Sequence, residues 1–279
     1  MGSPAERQPR HISSAANPLL VALRRLKRDP TAYRRSGRIW LEGEHLCAAA
    51  LAHGVPIEQA LLSERGFESP ARRRLAAHAA CLSVVPDALF AAASTLESPA
   101  DIGFVMALPP VAEPAAERPT VILDRLQDAG NVGTILRSAA ALGVTQVLAL
   151  KGTAALWSPK VLRAGMGSHF ALHLCEGLDE DAVLVLPLHL VATSSHAGSA
   201  LPQAHLPQPA AWLFGHEGQG VSSRLLAASG TTVRIPQPGG QESLNVASAA
   251  AICFYEALRR QTELPGGPGP LGARRCGAR

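Results

Sequence analysis

The sequence has 279 residues, which is enough for two ordinary domains, and 47% of them are hydrophobic, which is enough to fill a core. No run of about 18 apolar residues is present, so a transmembrane helix is not expected. The first ten residues lack the apolar stretch of a secretory signal. The five cysteines are scattered without a C-x-x-C pair, which disfavours a zinc ribbon or a redox pair and predicts free thiols in a reducing cytoplasm.

Positive charge is concentrated at the amino-terminal end. The formal net charge is +4, but residues 1–40 hold nine basic side chains against Glu6 and Asp29, which gives +7. Most of these basic residues lie in the segment Arg24–Arg38, which we call the basic arm. Such a field favours a polyanionic partner. On charge alone, a solvated helix face explains the pattern equally well.

Short strands and helices alternate over the first hundred residues. Residues 1–10 are predicted to be disordered, and a helix begins at Asn17-Pro18 and runs to Arg28. Further strands are predicted over Arg38–Leu41, Gln59–Leu62 and Leu82–Val85, and helices over Glu44–His53, Pro70–Ala79 and Pro86–Ala93. This alternation indicates a small α/β domain over residues 11–108. The proline-rich segment 109–119 is the predicted linker.

The rest of the chain repeats a strand–helix pattern. Strands are predicted over Thr120–Asp124, Gln146–Leu150, Phe170–Leu174, Leu188–Thr193, Ala210–Phe214 and Thr231–Ile235. Helices are predicted over Thr134–Leu142, Pro159–Ala164, Val221–Ala228 and Leu244–Gln261. A βαβ series of this kind predicts a parallel sheet in a second domain, residues 120–262. The Gly/Pro/Arg-rich tail, residues 263–279, is predicted to be disordered.

Three polar loops each follow the carboxyl end of a predicted strand. They are Asp124–Arg137, Phe214–Val221 and Ile235–Asn245. In open parallel sheets ligands bind at these ends, so the three loops are expected to converge on one site.

The first loop places Asn131 at the mouth of a helix and Arg137 about two turns along it. It lacks the G-x-G-x-x-G fingerprint of a dinucleotide site. An arginine amid apolar helix residues suggests a functional role. The alternative is an arginine that extends to solvent from the helix edge.

The second loop, G-H-E-G-Q-G, has glycines around Glu217. Backbone N–H groups in such a loop can bind a ligand carboxylate or ring edge. The loop lacks the Lys-Ser/Thr ending of a phosphate loop, which disfavours ATP. A plain glycine-rich turn is the alternative.

The third loop clusters Gln241, Glu242, Ser243 and Asn245 where a helix begins. We predict that Ser243 caps the helix and that Asn245 lies one turn inside it. Taken alone, this cluster is better explained as a cap than as a binding site.

His169 and His173 are four residues apart, which would suit a metal on a helix. The run H-F-A-L-H alternates like a strand instead, and no third ligand is evident, so no metal site is predicted. His216 lies in the second loop, but a lone histidine is weak evidence for a site.

Taken together, three motifs resemble the SpoU (TrmH-type) ribose 2′-O-methyltransferases of the SPOUT superfamily. They are N-V-G-T-I-L-R-S-A-A-A-L-G, L-F-G-H-E-G-Q-G-V and I-P-Q-P-G-G-Q-E-S-L-N-V-A-S-A-A, in this order within residues 124–260. The resemblance implies a C-terminal α/β-knot with a trefoil-knotted, mostly parallel sheet, a homodimer, S-adenosylmethionine as cofactor and RNA as substrate. The first domain resembles the small L30e-like RNA-binding domain that often precedes this catalytic domain.

The resemblance also implies roles for individual residues. The residues it assigns to the cofactor are Thr193, Gly215, Gly218, Ile235, Leu244 and Asn245. The residues it assigns to catalysis are Asn131, Arg137, Glu217, Ser243 and Asn245. The family often has Asp-Pro before its asparagine, whereas this chain has Asp128-Ala129-Gly130, which makes the loop one residue longer.

The role of Arg137 has two interpretations. In the family the arginine of the first motif is proposed to be the base. A guanidinium is effectively always protonated, so Arg137 can instead hold the flanking phosphate and stabilise the developing alkoxide, with Asn131 and Asn245 positioning it.

These observations predict a cytoplasmic enzyme that methylates a ribose 2′-OH, with large-subunit ribosomal RNA as the preferred substrate. The alternatives are a tRNA methyltransferase, an antibiotic-resistance rRNA methyltransferase, and a catalytically silent RNA-binding protein on the same fold. A nicotinamide-dependent enzyme is disfavoured by the missing dinucleotide fingerprint.

Overall fold

The computed structural model describes residues 8–195, 197–239 and 243–263. Of the two segments predicted to be disordered, residues 1–10 and 263–279, positions 1–7 and 264–279 lie outside these residues, and Glu263 ends the last helix. The first domain contains the strands β1 (Arg10–His11), β2 (Arg38–Glu42), β3 (Gln59–Ser63), β4 (Cys81–Val85) and β5 (Ile102–Ala107). Its helices are α1 (Pro18–Arg28), α2 (Ala32–Ser36), α3 (Glu44–Ala52), α4 (Glu64–Glu68), α5 (Pro70–Ala76) and α6 (Asp87–Ala93).

Helix α1 shows how local sequence sets an element of this domain. The side chain of Asn17 accepts a hydrogen bond from the N–H of Leu19 at 2.9 Å, and Pro18 occupies the first turn. Leu20, Leu23 and Leu26 form the buried face. This helix is present as predicted.

The sheet of the first domain has the strand order β1-β4-β3-β5-β2. Strands β1 and β3 run parallel to β4, and β5 runs antiparallel to both β3 and β2. Two predictions need correction. Arg10 was expected in a disordered segment but lies in β1, and β5 was not predicted although it pairs with both β3 and β2. The likeness of this domain to L30e remains a prediction.

Strand β5 is apolar throughout, and its Gly103 permits an unusually close contact. A Cβ atom on Gly103 would lie 2.1 Å from the ring of Trp40, so the indole occupies the space of the missing side chain. Because nearly all of β5 is buried, the strand lacks the polar alternation that marks a half-buried strand in a sequence.

The second domain contains the strands β6 (Thr120–Asp124), β7 (Gln146–Leu150), β8 (His173–Leu178), β9 (Leu190–Thr193), β10 (Ser199–Ala200), β11 (Ala211–Gly215) and β12 (Thr231–Arg234). Its helices are α7 (Ala129–Ala141), α8 (Pro159–Gly165), α9 (Glu180–Leu184), α10 (Ser223–Ala228) and α11 (Val246–Glu263). The strand order is β10-β12-β9-β11-β6-β7-β8, and each of these pairs is parallel. The predicted α/β fold with a mostly parallel sheet is therefore confirmed.

Helix α7 begins five residues earlier than predicted. The Asp128 carboxylate accepts the N–H of Asn131 at 2.7 Å and caps the helix, so Asn131 lies in the first turn. Gly133 lies where α8 crosses closely, because a Cβ there would be 2.5 Å from the Cβ of Ala164. The glycines around Asn131 suggested a loop, but the cap and this close packing favour a helix.

The segment around His169 also differs from its prediction. Residues Ser168–Ala171 form a 3-10 turn, and the strand starts only at His173. The Nε2 atom of His169 lies 2.9 Å from the carbonyl oxygen of Leu156, and burial lowers the pKa of His169 to about 4. Neutral and buried, His169 contributes to packing beside Trp157.

Two observations bear on membranes and metals. None of the helices within the described ranges combines the length and hydrophobicity needed to cross a bilayer. No group of three or more His, Cys, Asp or Glu side chains in those ranges is arranged to hold a metal ion.

Candidate active site

The three predicted loops meet at the carboxyl ends of neighbouring strands. A pocket of about 150 Å³ lies between the second and third loops, and its walls come from the ends of β9, β11 and β12 and from the start of α11. The predicted site residues that line it are Thr193, Gly215, Glu217, Ile235, Ser243 and Leu244. Such an edge of a parallel sheet is the expected place for a ligand.

Side-chain amides link the first and third loops. The Nδ2 group of Asn245 donates to Oδ1 of Asn131 at 2.9 Å, and the Nδ2 group of Asn131 donates to Oε1 of Glu217 at 3.3 Å. This series Asn245–Asn131–Glu217, which we call the amide chain, joins all three loops. The direction of donation along the amide chain is set at Glu217, because an ionised carboxylate can only accept hydrogen bonds.

Glu217 is also held by backbone groups of the first loop. The N–H groups of Gln127 and Asp128 lie 3.3 Å from its two carboxylate oxygens. Partial burial raises the pKa of Glu217, but hydrogen bonds from its own N–H, from Asn131 and from these two amides outweigh burial, and the net pKa is lowered. Glu217 is therefore ionised at neutral pH.

Asn245 has a second function as the cap of α11. Its Oδ1 atom accepts the N–H groups of Ala247 at 2.9 Å and Ser248 at 3.3 Å. The sequence placed this cap at Ser243 and put Asn245 one turn inside the helix, and both expectations are wrong. Ser243 is exposed and lines the pocket instead. Gln241 and Glu242 lie outside the described residues.

The glycine-rich loop is a compact turn organised by His216. The Nδ1 atom of His216 accepts the N–H groups of Gly218 at 3.0 Å and Gln219 at 3.3 Å. Gly215 allows the turn to close, because a Cβ there would lie 2.0 Å from the backbone of Gly220. Gly218 was predicted to contact the cofactor, but it does not line the pocket, and its N–H is used inside the turn.

Asp124 and Arg125 form a second polar cluster that the sequence did not single out. Asp124 is fully buried, accepts the N–H of Ser222 at 2.7 Å and pairs with the Nε group of Arg125 at 2.8 Å. Arg125 has a left-handed backbone, φ 60°, and its guanidinium reaches Oε1 of Gln219 at 3.1 Å. The sequence does contain a signal for this cluster, because Asp124 is a charged residue at the end of the largely apolar strand β6.

Arg137 lies apart from the amide chain. Its side chain is exposed on α7, and within the described residues it has no hydrogen bond or ion pair. The expectation that Asn131 and Asn245 position Arg137 does not hold in this structure, because their amides bind each other and Glu217. Its guanidinium is available for a partner outside the chain.

A parallel α/β sheet with a pocket and convergent polar groups at its carboxyl edge defines the class of ligand-binding α/β enzymes. Comparison with known proteins identifies the family. Residues 118–255 match the model of the SpoU rRNA Methylase family. An uncharacterized tRNA/rRNA methyltransferase of Synechocystis is 34% identical over 260 residues, which cover 90% of this chain and 94% of the relative.

Two further relatives agree with this match. The 23S rRNA (guanosine(2553)-2′-O)-methyltransferase RlmP of Bacillus subtilis is 31% identical, with 88% of this chain and 98% of the relative covered. The crystal structure of the SpoU methyltransferase AviRb from Streptomyces viridochromogenes, in complex with AdoMet, superposes with a TM-score of 0.77. It is 26% identical, and the match covers 88% of this chain and 99% of that chain. The chain belongs to the SpoU family, which confirms the family and the enzyme class predicted from the three motifs.

Proposed function

We propose that this protein transfers a methyl group from S-adenosylmethionine to a ribose 2′-OH of large-subunit ribosomal RNA. The observation that carries the proposal is that the second and third family motifs line one pocket, while the amide chain ties the first motif to it through Glu217. The relatives support the substrate class, since RlmP is named for the 2′-O position of a guanosine in 23S rRNA.

The pocket fits the nucleoside part of this cofactor. Phe214, Ile235, Leu244 and Ala249 supply apolar surface for a flat ring. The side-chain oxygen of Gln237 is buried at the pocket and has no hydrogen-bond partner within the described residues, which suits an amino group of a ligand. When bound, S-adenosylmethionine supplies a methyl group already activated by the sulfonium.

The protein's own contribution is alignment and charge stabilisation. Glu217 and the two asparagines hold the three loops at fixed distances, which aligns the groups that bind the two reactants. The free guanidinium of Arg137 binds the phosphate next to the target ribose and stabilises the negative charge that develops on the 2′-oxygen. Ser243, exposed at the pocket, is placed to contact the incoming ribose.

We further propose that the second domain forms a homodimer through α11. Ile252 and Tyr255 lie three residues apart on one face of this helix and are exposed by 40% and 58%. The opposite face carries Ala250, Cys253 and Phe254 and is buried in the domain. A second copy that covers this apolar strip would also bring a second basic arm to the RNA.

The trefoil knot belongs to the same proposal. Strand β12 lies beyond β9, between β9 and β10, yet the following chain returns to place Asn245 against Asn131 near β6. At the other end of α11, the guanidinium of Arg260 donates to the carbonyls of Leu201 and Ala204. A chain that crosses back in this way is compatible with threading through the β9–β11 segment. A chain trace in an electron-density map tests the knot directly.

The first domain is proposed to bind RNA. In α1, the side chains of Arg25, Lys27 and Arg28 are exposed, and they have no ion pair within the described residues.

The proposal is tested by mapping ribose methylation in total RNA from cells with and without the gene. Loss of one 2′-O-methyl mark in large-subunit RNA, restored by the wild-type gene but not by Arg137→Ala, is the expected result. Loss of a mark in tRNA would move the substrate to tRNA. If every mark survives deletion, the RNA-binding or resistance alternatives replace this proposal.

A further inference from the structure

The carboxylate of Glu176 makes hydrogen bonds to both domains. Glu176 lies on β8 of the second domain, and its two oxygens are 2.6 and 2.7 Å from the hydroxyl of Tyr33 on α2 of the first domain. Tyr33 is completely buried. A buried phenol needs an acceptor for its O–H. The Nε group of Arg34, in the same domain, donates to the Tyr33 hydroxyl at 3.3 Å, whereas the charged acceptor, Glu176, belongs to the opposite domain.

Glu176 has further partners on both sides of the interface. The guanidinium of Arg34, in the first domain, lies 3.2 Å from Oε2. The N–H of Leu156, in the loop between β7 and α8, donates to the same oxygen at 3.1 Å. Separating the domains would leave Tyr33 without its acceptor, while Glu176 would stay bound to its own domain.

The surrounding interface makes this contact important for orientation. Beside it, a cavity of about 590 Å³ lies between the domains, with His53 and Met106 on one side and Trp157 and Phe170 on the other. Beside the cavity, the rings of His53 and Phe170 lie with their centroids 6.1 Å apart across the interface. Such packing lacks the directional preference of the hydrogen bond between Tyr33 and Glu176. A nearby close contact is Gly167 against Ala49, where a Cβ on Gly167 would lie 2.6 Å from that of Ala49.

We propose that Tyr33 and Glu176 are positioning residues, which orient the first domain so that the RNA it holds meets the active site at the correct angle. Their contact is remote from the pocket and touches neither reactant, so it acts on RNA placement and leaves cofactor binding unchanged. This inference rests on the proposed function, because it takes the first domain as the carrier of RNA.

The first test separates RNA placement from cofactor binding. Tyr33→Phe and Glu176→Gln keep shape and volume but remove the hydroxyl and the charge. With large-subunit rRNA from cells that lack the gene, each variant is expected to raise the KM for RNA roughly tenfold, because an RNA that cannot contact both domains at once binds less tightly. The Kd for S-adenosylmethionine should stay within about twofold, since the pocket keeps its geometry.

A control and a double variant make this test specific. Asp181→Asn removes a carboxylate that pairs with Arg224 inside the second domain, and it should leave both constants unchanged. The double variant Tyr33→Phe/Glu176→Gln should be no worse than the more impaired single variant, because both remove the same contact. Additive losses, or an unchanged KM for RNA in both single variants, would overturn the proposal.

The second test needs no RNA. Spin labels at Glu68→Cys in the first domain and Val185→Cys in the second report the distance between domains, in a background where Cys81 and Cys276 are serine. Both labelled positions are exposed. Tyr33→Phe should broaden the distance distribution, and an unchanged distribution would overturn the positioning role. Because this readout is independent of methylation, a wild-type protein that modifies no RNA would refute the proposed function and still leave the domain contact testable.

Discussion

The side chains of Asn245 and Asn131 are joined by a 2.9 Å hydrogen bond, although 114 residues separate them in sequence. Each asparagine lies at the start of a helix, and the bond ties the start of α11 to the first turn of α7. Through Asn131 the connection continues to Glu217. Asn131 of the first motif therefore links Asn245 of the third motif to Glu217 of the second.

Asn245→Asp should separate the two functions of this residue. An aspartate can still accept the N–H groups of Ala247 and Ser248 and cap α11, but it cannot donate to Asn131, and it brings a negative charge toward Glu217. We expect the single-turnover rate of methylation to fall roughly 100-fold, with little change in thermal stability.

The comparison with Asn245→Ala makes this test decisive. Alanine removes both the donor and the cap, so it should lose activity and also about 1 kcal/mol of stability. If the aspartate variant methylates RNA at the wild-type rate, the amide chain is not required for catalysis.

Gly215→Ala should weaken cofactor binding. A Cβ at this position would lie 2.0 Å from the backbone of Gly220 and 2.1 Å from that of Val221, so the turn would have to open. We expect calorimetry to show at least a tenfold weaker affinity for S-adenosylmethionine, because the displaced turn forms one wall of the pocket.

Gly218→Ala is the matched control in the same turn. A Cβ there has its nearest neighbour, the His216 ring, at 3.8 Å, which is an ordinary contact. The affinity of this variant for S-adenosylmethionine should stay close to that of the wild type. Equal losses in the two variants would show that the turn responds to any substitution, and the steric explanation for Gly215 would fail.

The sequence could predict the elements whose signals are local. Asn17 and Pro18 mark the start of α1 through a cap and a fixed φ, and both act within one turn. The order of the three motifs could likewise be seen directly, and their meeting point follows from the parallel arrangement of the strands that carry them.

What could not be predicted depends on contacts between distant residues. Tyr33 and Glu176 meet across 143 positions, and neither has a neighbour in sequence that indicates the other. Strand β5 carries no polar alternation, since both of its faces are covered. The preference for Asn245 over Ser243 as the cap of α11 arises because Asn245 also has a partner on α7.

Glu256 should make the stability of α11 depend on pH. Hydrogen bonds from Arg259 lower its pKa to about 2, with burial opposing and Arg260 adding to the effect. Because the folded pKa lies below the usual 4.5, the stabilisation is fully present above about pH 4.5 and is lost as pH falls toward 2.

The variant Glu256→Gln tests this dependence. It should unfold at a lower urea concentration than the wild type at neutral pH. The difference between the two urea midpoints should narrow as the pH falls from about 5 to about 3. A difference in midpoint that stays constant over this range would show that the arginines stabilise the helix without the Glu256 charge.

The basic arm should act on RNA chiefly through α1. Arg34, Arg35 and Arg38 already pair with carboxylates of Glu176, Asp29 and Glu58, whereas α1 keeps the exposed cations at positions 25, 27 and 28. The triple variant Arg25→Gln/Lys27→Gln/Arg28→Gln should weaken RNA binding and reduce the slope of log Kd against log salt by about 2 to 3, because fewer counterions are released.

Arg35→Gln/Arg38→Gln is the matched control for this experiment, since it removes charge from the same segment but from residues that are already paired. Filter binding at several salt concentrations should show a smaller change of slope per removed charge for the control, which loses two charges, than for the α1 variant, which loses three. If the α1 variant keeps the wild-type slope, these cations form a solvated helix face and the RNA contacts another surface. If the two variants change the slope equally per removed charge, the intramolecular ion pairs do not restrain Arg35 and Arg38, as expected for weak surface pairs.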